Sequence, residues 1–155
     1  MKDVVVVDAN LAMKWVLNEA DSGIALALLN EWNNKGMVMI APALLTYEVT
    51  NVLYQNMRKG KINLDQAKKI LIEVLAIGIE LDFSNNSTLS KRAFELAHQF
   101  NLLATYDPHY VALAERENCE FWTADSRLWT AVKEKLHRVR LLSDYHPGQA
   151  VEALL

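Results

Sequence analysis

Four acidic residues stand where a carboxylate can be structural or chemical: Asp8, Glu48, Asp107 and Asp125. Asp8 ends the run Val4 to Val7, and Asp125 follows the apolar stretch Cys119 to Thr123. Each therefore sits where a strand would end, and each is also a normal cap for the helix that follows. Glu48 comes three residues after Leu45 and four before Val52, on the apolar side of a helical stretch. A carboxylate there is costly unless it is paired or bound to a cation. A neighbouring Arg or a backbone amide would satisfy it equally well. Asp107 precedes Pro108 at a helix start, which suits a cap. It also aligns with Tyr110, Val111 and Ala114, the face that must pack on a sheet.

Carboxylates held close together cannot all be charged without a compensating cation. All-oxygen ligands select hard ions, so Mg²⁺ or Mn²⁺ is the natural guest. Such a centre activates water and stabilises charge at phosphorus; two ions would stand roughly 3.5–4 Å apart. The four acids are thus the candidate catalytic residues and metal ligands. Asn10, Asn51, Thr123 and Ser126 stand near them in sequence and would orient ligands or waters from behind. Local capping explains Ser126 equally well.

The elements that must position these residues follow from periodicity. Four β-branched residues at Val4 to Val7 suit a strand buried on both faces, in the middle of a parallel sheet. Such a sheet delivers Asp8 to its carboxyl edge, where open α/β folds bind ligands. Leu11 to Leu17 reads as a short helix, and Asp21-Ser22 opens another with Ile24, Ala27, Leu28 and Trp32 on one stripe. Met37 to Ile40 reads as a second strand, and a helix runs from about Ala43 to Arg58 behind Pro42. Arg58 to Lys61 is ordinary helix-end chemistry, with contact to an RNA backbone the lesser alternative. A further helix starts at Asn63 or Asp65. Ile79 to Phe83 alternates like an edge strand, and polar Ser84 to Ser90 caps a helix ending at Phe100. His98, without a second His at ligand spacing, reads as structural. Helices open at Thr105 or Asp107 and again at Asp125. Val139 to Leu142 is a candidate fifth strand, and the last residues offer a Pro-Gly turn and a short apolar helix.

Strand, acid, helix is the recurrent order. It points to an α/β fold with a parallel sheet covered on both faces. The acids meet in one cleft if the strands before Asp8 and Asp125 lie side by side. With 155 residues and 52% apolar content, one domain over 1–155 is expected. No apolar run reaches membrane-spanning length, and the single Cys119 forms no intramolecular disulfide or thiolate metal cage. These features suit a soluble cytoplasmic protein. The net charge of −3 is not the footprint of nucleic-acid binding by bulk electrostatics. A metal ion among acids would reverse that sign locally.

At this point the sequence resembles PIN-domain proteins of the VapC toxin type over nearly its whole length. The resemblance rests on Val6 to Asn10, on Glu48-Val-Thr-Asn51 after Pro42, on Tyr106 to Glu115, and on Thr123 to Leu128. It implies a three-layer α/β/α sandwich with a five-stranded parallel sheet. It also implies Mg²⁺- or Mn²⁺-dependent RNA cleavage by activated water, with Asp8, Glu48, Asp107 and Asp125 matching the acidic set. A homodimer and a small cognate antitoxin that enters the acidic groove are further implications. Pro108-His109 departs from the smaller or apolar residues usual after the third acid, and Cys119 to Trp122 is bulkier than typical.

Other readings remain. A phosphatase or phosphotransferase working through an aspartyl-phosphate needs a second acid two residues after the first, where this chain has Asn10. A receiver domain needs an acidic pair beside the first strand, yet Asp3 precedes the Val run. A catalytically silent domain binding RNA or protein would not need all four acids.

Overall fold

The computed structural model describes residues 3–84 and 87–147. Asn85, Asn86 and the terminal helix expected after the Pro-Gly turn lie outside the described residues. Five parallel strands form one sheet: β1 (Val4–Val7), β2 (Val38–Pro42), β3 (Glu80–Asp82), β4 (Glu120–Thr123) and β5 (Val139–Leu141). Among the described residues seven helices accompany them: α1 (Ala9–Val16), α2 (Ser22–Asn34), α3 (Leu44–Arg58), α4 (Leu64–Leu75), α5 (Ser87–Gln99), α6 (Tyr106–Glu117) and α7 (Ser126–Val132).

The strand order is β3-β2-β1-β4-β5, so the Val strand is central. Val6 is in register with Ile40 on one side and Phe121 on the other. Val5, Val6 and Val7 are buried, as a strand covered on both faces requires. Because β1 and β4 are neighbours and parallel, Asp8 and Asp125 leave the same sheet edge close together. The short strand β3 is an edge, in keeping with its alternating sequence.

Successive strand residues face opposite layers, and β4 shows this directly. Phe121 stacks on Tyr110 of α6 at 5.6 Å between ring centroids, whereas Trp122 meets Trp32 of α2 edge-on at 6.2 Å. Helices α6 and α2 therefore cover opposite faces, giving the three layers. Helix α5 packs on α6, while α1 packs on α2, α3 and α4. Trp15, Trp32, Trp122 and Tyr145 form a chain of edge-to-face contacts. The bulk of Trp122 thus fills an aromatic core on the α2 side.

Local chemistry sets the boundaries. Asn63, not Asp65, caps α4 through a reciprocal capping box with Gln66. On α2 the buried stripe is Ala25, Leu28 and Trp32, and Ile24 is exposed. The helix opens at Ser22 as expected, but centring its buried stripe on Ala25, Leu28 and Trp32 leaves Ile24 at the edge. No helix among the described residues is long and apolar enough to cross a membrane.

Candidate active site

The first acid is held by two donors. Asp8 is the N-cap of α1, and its Oδ1 accepts from the Leu11 N–H at 2.9 Å. Its Oδ2 accepts from the Thr123 hydroxyl at the end of β4. Thr123 Oγ1 in turn accepts from the Asp125 N–H at 3.0 Å. One buried hydroxyl therefore ties together the acids that follow β1 and β4. Asp125 caps α7, its Oδ1 accepting from the Arg127 and Leu128 N–H groups at 2.9 and 3.3 Å. That leaves Oδ2 of Asp125 without a hydrogen bond among the described residues.

Glu48 projects from α3, half-buried. Its partner is neither an Arg nor a backbone amide: the Tyr110 hydroxyl donates to Oε1 at 2.7 Å. Tyr110 is fully buried on α6 and is fixed by its stacking on Phe121. Asp107 lies in the first turn of α6, whose N-cap is Thr105. Asp107 is thus inside the helix and makes no capping bond, contrary to the cap expected from Asp-Pro. Pro108 follows it within the first turn, where its missing N–H leaves no helical bond unmade.

Glu48, Asp107 and Asp125 line one cleft of about 340 Å³, together with Arg127 and the 101–104 segment. Asp8, only 4% exposed, is buried behind it. Burial pushes the Asp8 carboxyl up to about 7; the Thr123 and Leu11 donors oppose this, and the charges of Asp107 and Glu48 add to it. Burial also raises Glu48, against the Tyr110 hydrogen bond and with the help of Asp107. Asp107 is raised by burial and then by the Asp125 charge. Among the described residues no Lys, Arg or His contributes to holding these three groups ionised.

Among the described residues no group of three or more acidic, His or Cys side chains is gathered tightly enough to enclose a metal ion as it stands. The donor set nevertheless fits a hard cation. The polar atoms the four acids would offer are all carboxylate oxygens, and burial and mutual repulsion raise three of the carboxyls. No Lys, Arg or His among the described residues forms an ion pair with any of the four. Asp107 and one oxygen of Asp125 remain free to coordinate.

Of the supporting residues expected from the sequence, Thr123 alone bonds an acid of the set. Asn10, Asn51 and Ser126 are exposed on the rim. Asn10 and Asn51 share a second cleft with Glu48, and Asn10 and Ser126 share a third with Asp125. Their exposed positions on the helix surfaces turn these side chains toward solvent above the acids. Sequence reasoning missed Tyr110 as a member of the site. His109, noted as a departure, bonds Ser90 of α5 at 3.1 Å and the Thr105 carbonyl at 2.5 Å.

A three-layer parallel α/β domain with acids at the ends of its two central strands is the architecture of a PIN domain. Residues 5–135 match that family, and the chain belongs to it. Ribonuclease VapC3 of Pyrobaculum aerophilum is 34% identical over 85 residues, 55% of this chain and 64% of that protein. The chain therefore matches just under two thirds of the length of this curated relative. The fold is similar to that of PAE2754 from Pyrobaculum aerophilum, with TM-score 0.57 and 21% identity over 94% of this chain and 100% of that one. It is also similar to VapBC-1 from nontypeable Haemophilus influenzae, with TM-score 0.61 and 11% identity over 91% of this chain and 99% of that one. At these identities the structural likeness speaks to the fold.

Proposed function

We propose that the chain is a single-domain, divalent-metal-dependent endoribonuclease and the toxin of a type II toxin–antitoxin pair. The observation that supports this most is electrostatic. Glu48, Asp107 and Asp125 line one cleft of a PIN domain with Asp8 buried beside them, and among the described residues no cation neutralises Asp8, Glu48 or Asp107. The similarity to Ribonuclease VapC3 of Pyrobaculum aerophilum points the same way.

In this reading the four acids would hold Mg²⁺ or Mn²⁺, which would supply the acidification of a water and the stabilisation of charge on the phosphodiester oxygens. The chain's own residues set the stage. Thr123 fixes the Asp8 carboxylate, and Tyr110 fixes that of Glu48. Arg127, exposed and without an ion pair among the described residues, stands at the cleft beside Asp125 and can take a neighbouring phosphate. Exposed Tyr54, Leu64 and Ile72 on α3 and α4 leave apolar surface for a protein partner such as an antitoxin. A homodimer and a cytoplasmic location complete the reading.

The test is cleavage of single-stranded RNA by the purified chain with Mg²⁺, with chelator, and after Asp8→Asn. Loss of cleavage in the last two supports the reading. Full cleavage by the variant without metal would sink it. Toxin action predicts growth arrest on expression, relieved by co-expressing the product of a short neighbouring reading frame.

A further inference from the structure

We propose that the cleft beside the acids grips one nucleobase of single-stranded RNA between Tyr47 and Tyr106. This rests on the ribonuclease reading and names how the same site holds its substrate. The cleft, about 370 Å³, is bounded by Asn10 of α1, Tyr47, Glu48 and Asn51 of α3, and Tyr106 of α6. Glu48 and Tyr106 also line the acidic cleft, so the two clefts adjoin.

Three features make this a base site. First, the two tyrosines are 73% and 60% exposed, although large aromatic rings gain most from leaving water. Neither ring touches another aromatic ring, and neither hydroxyl has a hydrogen-bond partner, among the described residues. Their flat faces are free for a planar guest. Second, Asn10 and Asn51 are exposed and carry no side-chain hydrogen bond among the described residues. An amide offers both donors and an acceptor, which matches the edge of a base. Third, the cleft lies at the lower end of the roughly 300–1,000 Å³ typical of small-ligand sites. That volume is enough for one splayed nucleotide.

The charge balance argues for stacking as the source of grip. The chain carries a net −3 and the adjoining cleft is acidic, so phosphate attraction alone holds a strand poorly. Aromatic stacking is indifferent to that charge and is available on every base. With a base held beside Glu48, the adjoining phosphodiester falls over the acids, and Arg127 stands in the acidic cleft beside Asp125. A base and a neighbouring phosphate are then held at once.

The experiment is steady-state cleavage of a fluorogenic single-stranded RNA by wild type, Tyr47→Ala, Tyr106→Ala and the corresponding Phe variants. Fluorescence of 2-aminopurine placed along the strand reports stacking directly. Each Ala variant should raise KM by about five- to a hundred-fold with kcat changed little, and should lose 2-aminopurine quenching. The Phe variants should stay near wild type, because they keep the ring. Circular dichroism checks that the variants remain folded. Wild-type KM in both Ala variants overturns the base site and leaves the ribonuclease reading intact. Phe variants as weak as Ala overturn stacking. Loss of binding to a co-expressed protein partner with unchanged KM assigns the tyrosines to that partner and overturns the proposal. No RNA cleavage by wild type overturns both proposal and reading.

Discussion

The Thr123 hydroxyl donates to Asp8 Oδ2 while accepting the Asp125 N–H, so one side chain joins the acids that follow two neighbouring strands. Thr123 is fully buried and Asp8 nearly so. Neither group has water to fall back on if the other is removed. The register of β1 against β4 is thereby written into the site, since a shift of one residue would turn Thr123 to the other face.

Thr123→Val keeps the shape and removes the hydroxyl. The Asp125 N–H loses its acceptor and Asp8 loses a donor, at a cost of about 1–3 kcal/mol for the unsatisfied buried group. Without that donor the Asp8 carboxyl moves above its value of about 7. Chemical denaturation should show the stability loss, and calorimetric Mn²⁺ titration at pH 7 should show weaker binding. Thr123→Ser should restore most of both. Equal losses in the Ser and Val variants would mean that the methyl, not the hydroxyl, matters.

Asp8→Asn should stabilise the metal-free protein in a pH-dependent way. Burial raises Asp8 from 3.8 to about 7, so the folded chain binds that proton more tightly than the unfolded chain. The contribution is favourable below the unfolded value, declines as pH rises between the two, and is constant above about 7. The variant should therefore exceed wild type at pH 8 by on the order of a few kcal/mol, with the difference vanishing toward pH 4. Urea unfolding in chelator at several pH values measures it. A difference independent of pH would contradict the electrostatic origin.

Tyr110→Phe removes the hydroxyl from Glu48 and leaves the ring stacked on Phe121. The Tyr110 hydrogen bond holds Glu48 down against its burial, so its loss raises that carboxyl further. Cleavage should fall at neutral pH, and the acidic limb of the pH–rate profile should shift upward. Hydrogen bonds to charged groups of this kind contribute roughly 1.5–3 kcal/mol, about ten- to a hundred-fold in rate at most. An unshifted profile would show that Tyr110 serves packing alone.

Arg127→Ala should weaken RNA binding and flatten its salt dependence. Each phosphate contact contributes about 0.7 to the slope of log affinity against log salt for single strands. A reduction of about that size in the slope identifies a direct phosphate contact. Weaker affinity with an unchanged slope would point to altered packing at the start of α7.

Much of the fold was legible because its elements carry their own signals. Four valines in a row specify a central strand, and the strand–acid–helix order specifies parallel layers. The convergence of the acids followed once β1 and β4 were shown to be neighbours, a fact that no local pattern contains. The helix start stayed open between Thr105 and Asp107 because Asp-Pro reads the same at the N-cap as two residues inside the helix. Tyr110 stayed hidden because a Tyr in an apolar stripe looks like core, and its partner lies 62 residues away. Asn10, Asn51 and Ser126, read as supports, are exposed and make no hydrogen bond to the acids, because sequence spacing does not say which way a helix surface faces.

The order β3-β2-β1-β4-β5 also has a meaning for the chain as it is being made. Synthesis releases β1, β2 and β3 first, and these can pair as a block. The free side of β1 waits for β4, which is the strand that brings Thr123 and then Asp125. Until that late segment inserts, Asp8 lacks its second donor and the acidic set is incomplete. On the proposed reading a growing chain is therefore chemically mute through most of its synthesis, and competence would arrive with the closing of one seam.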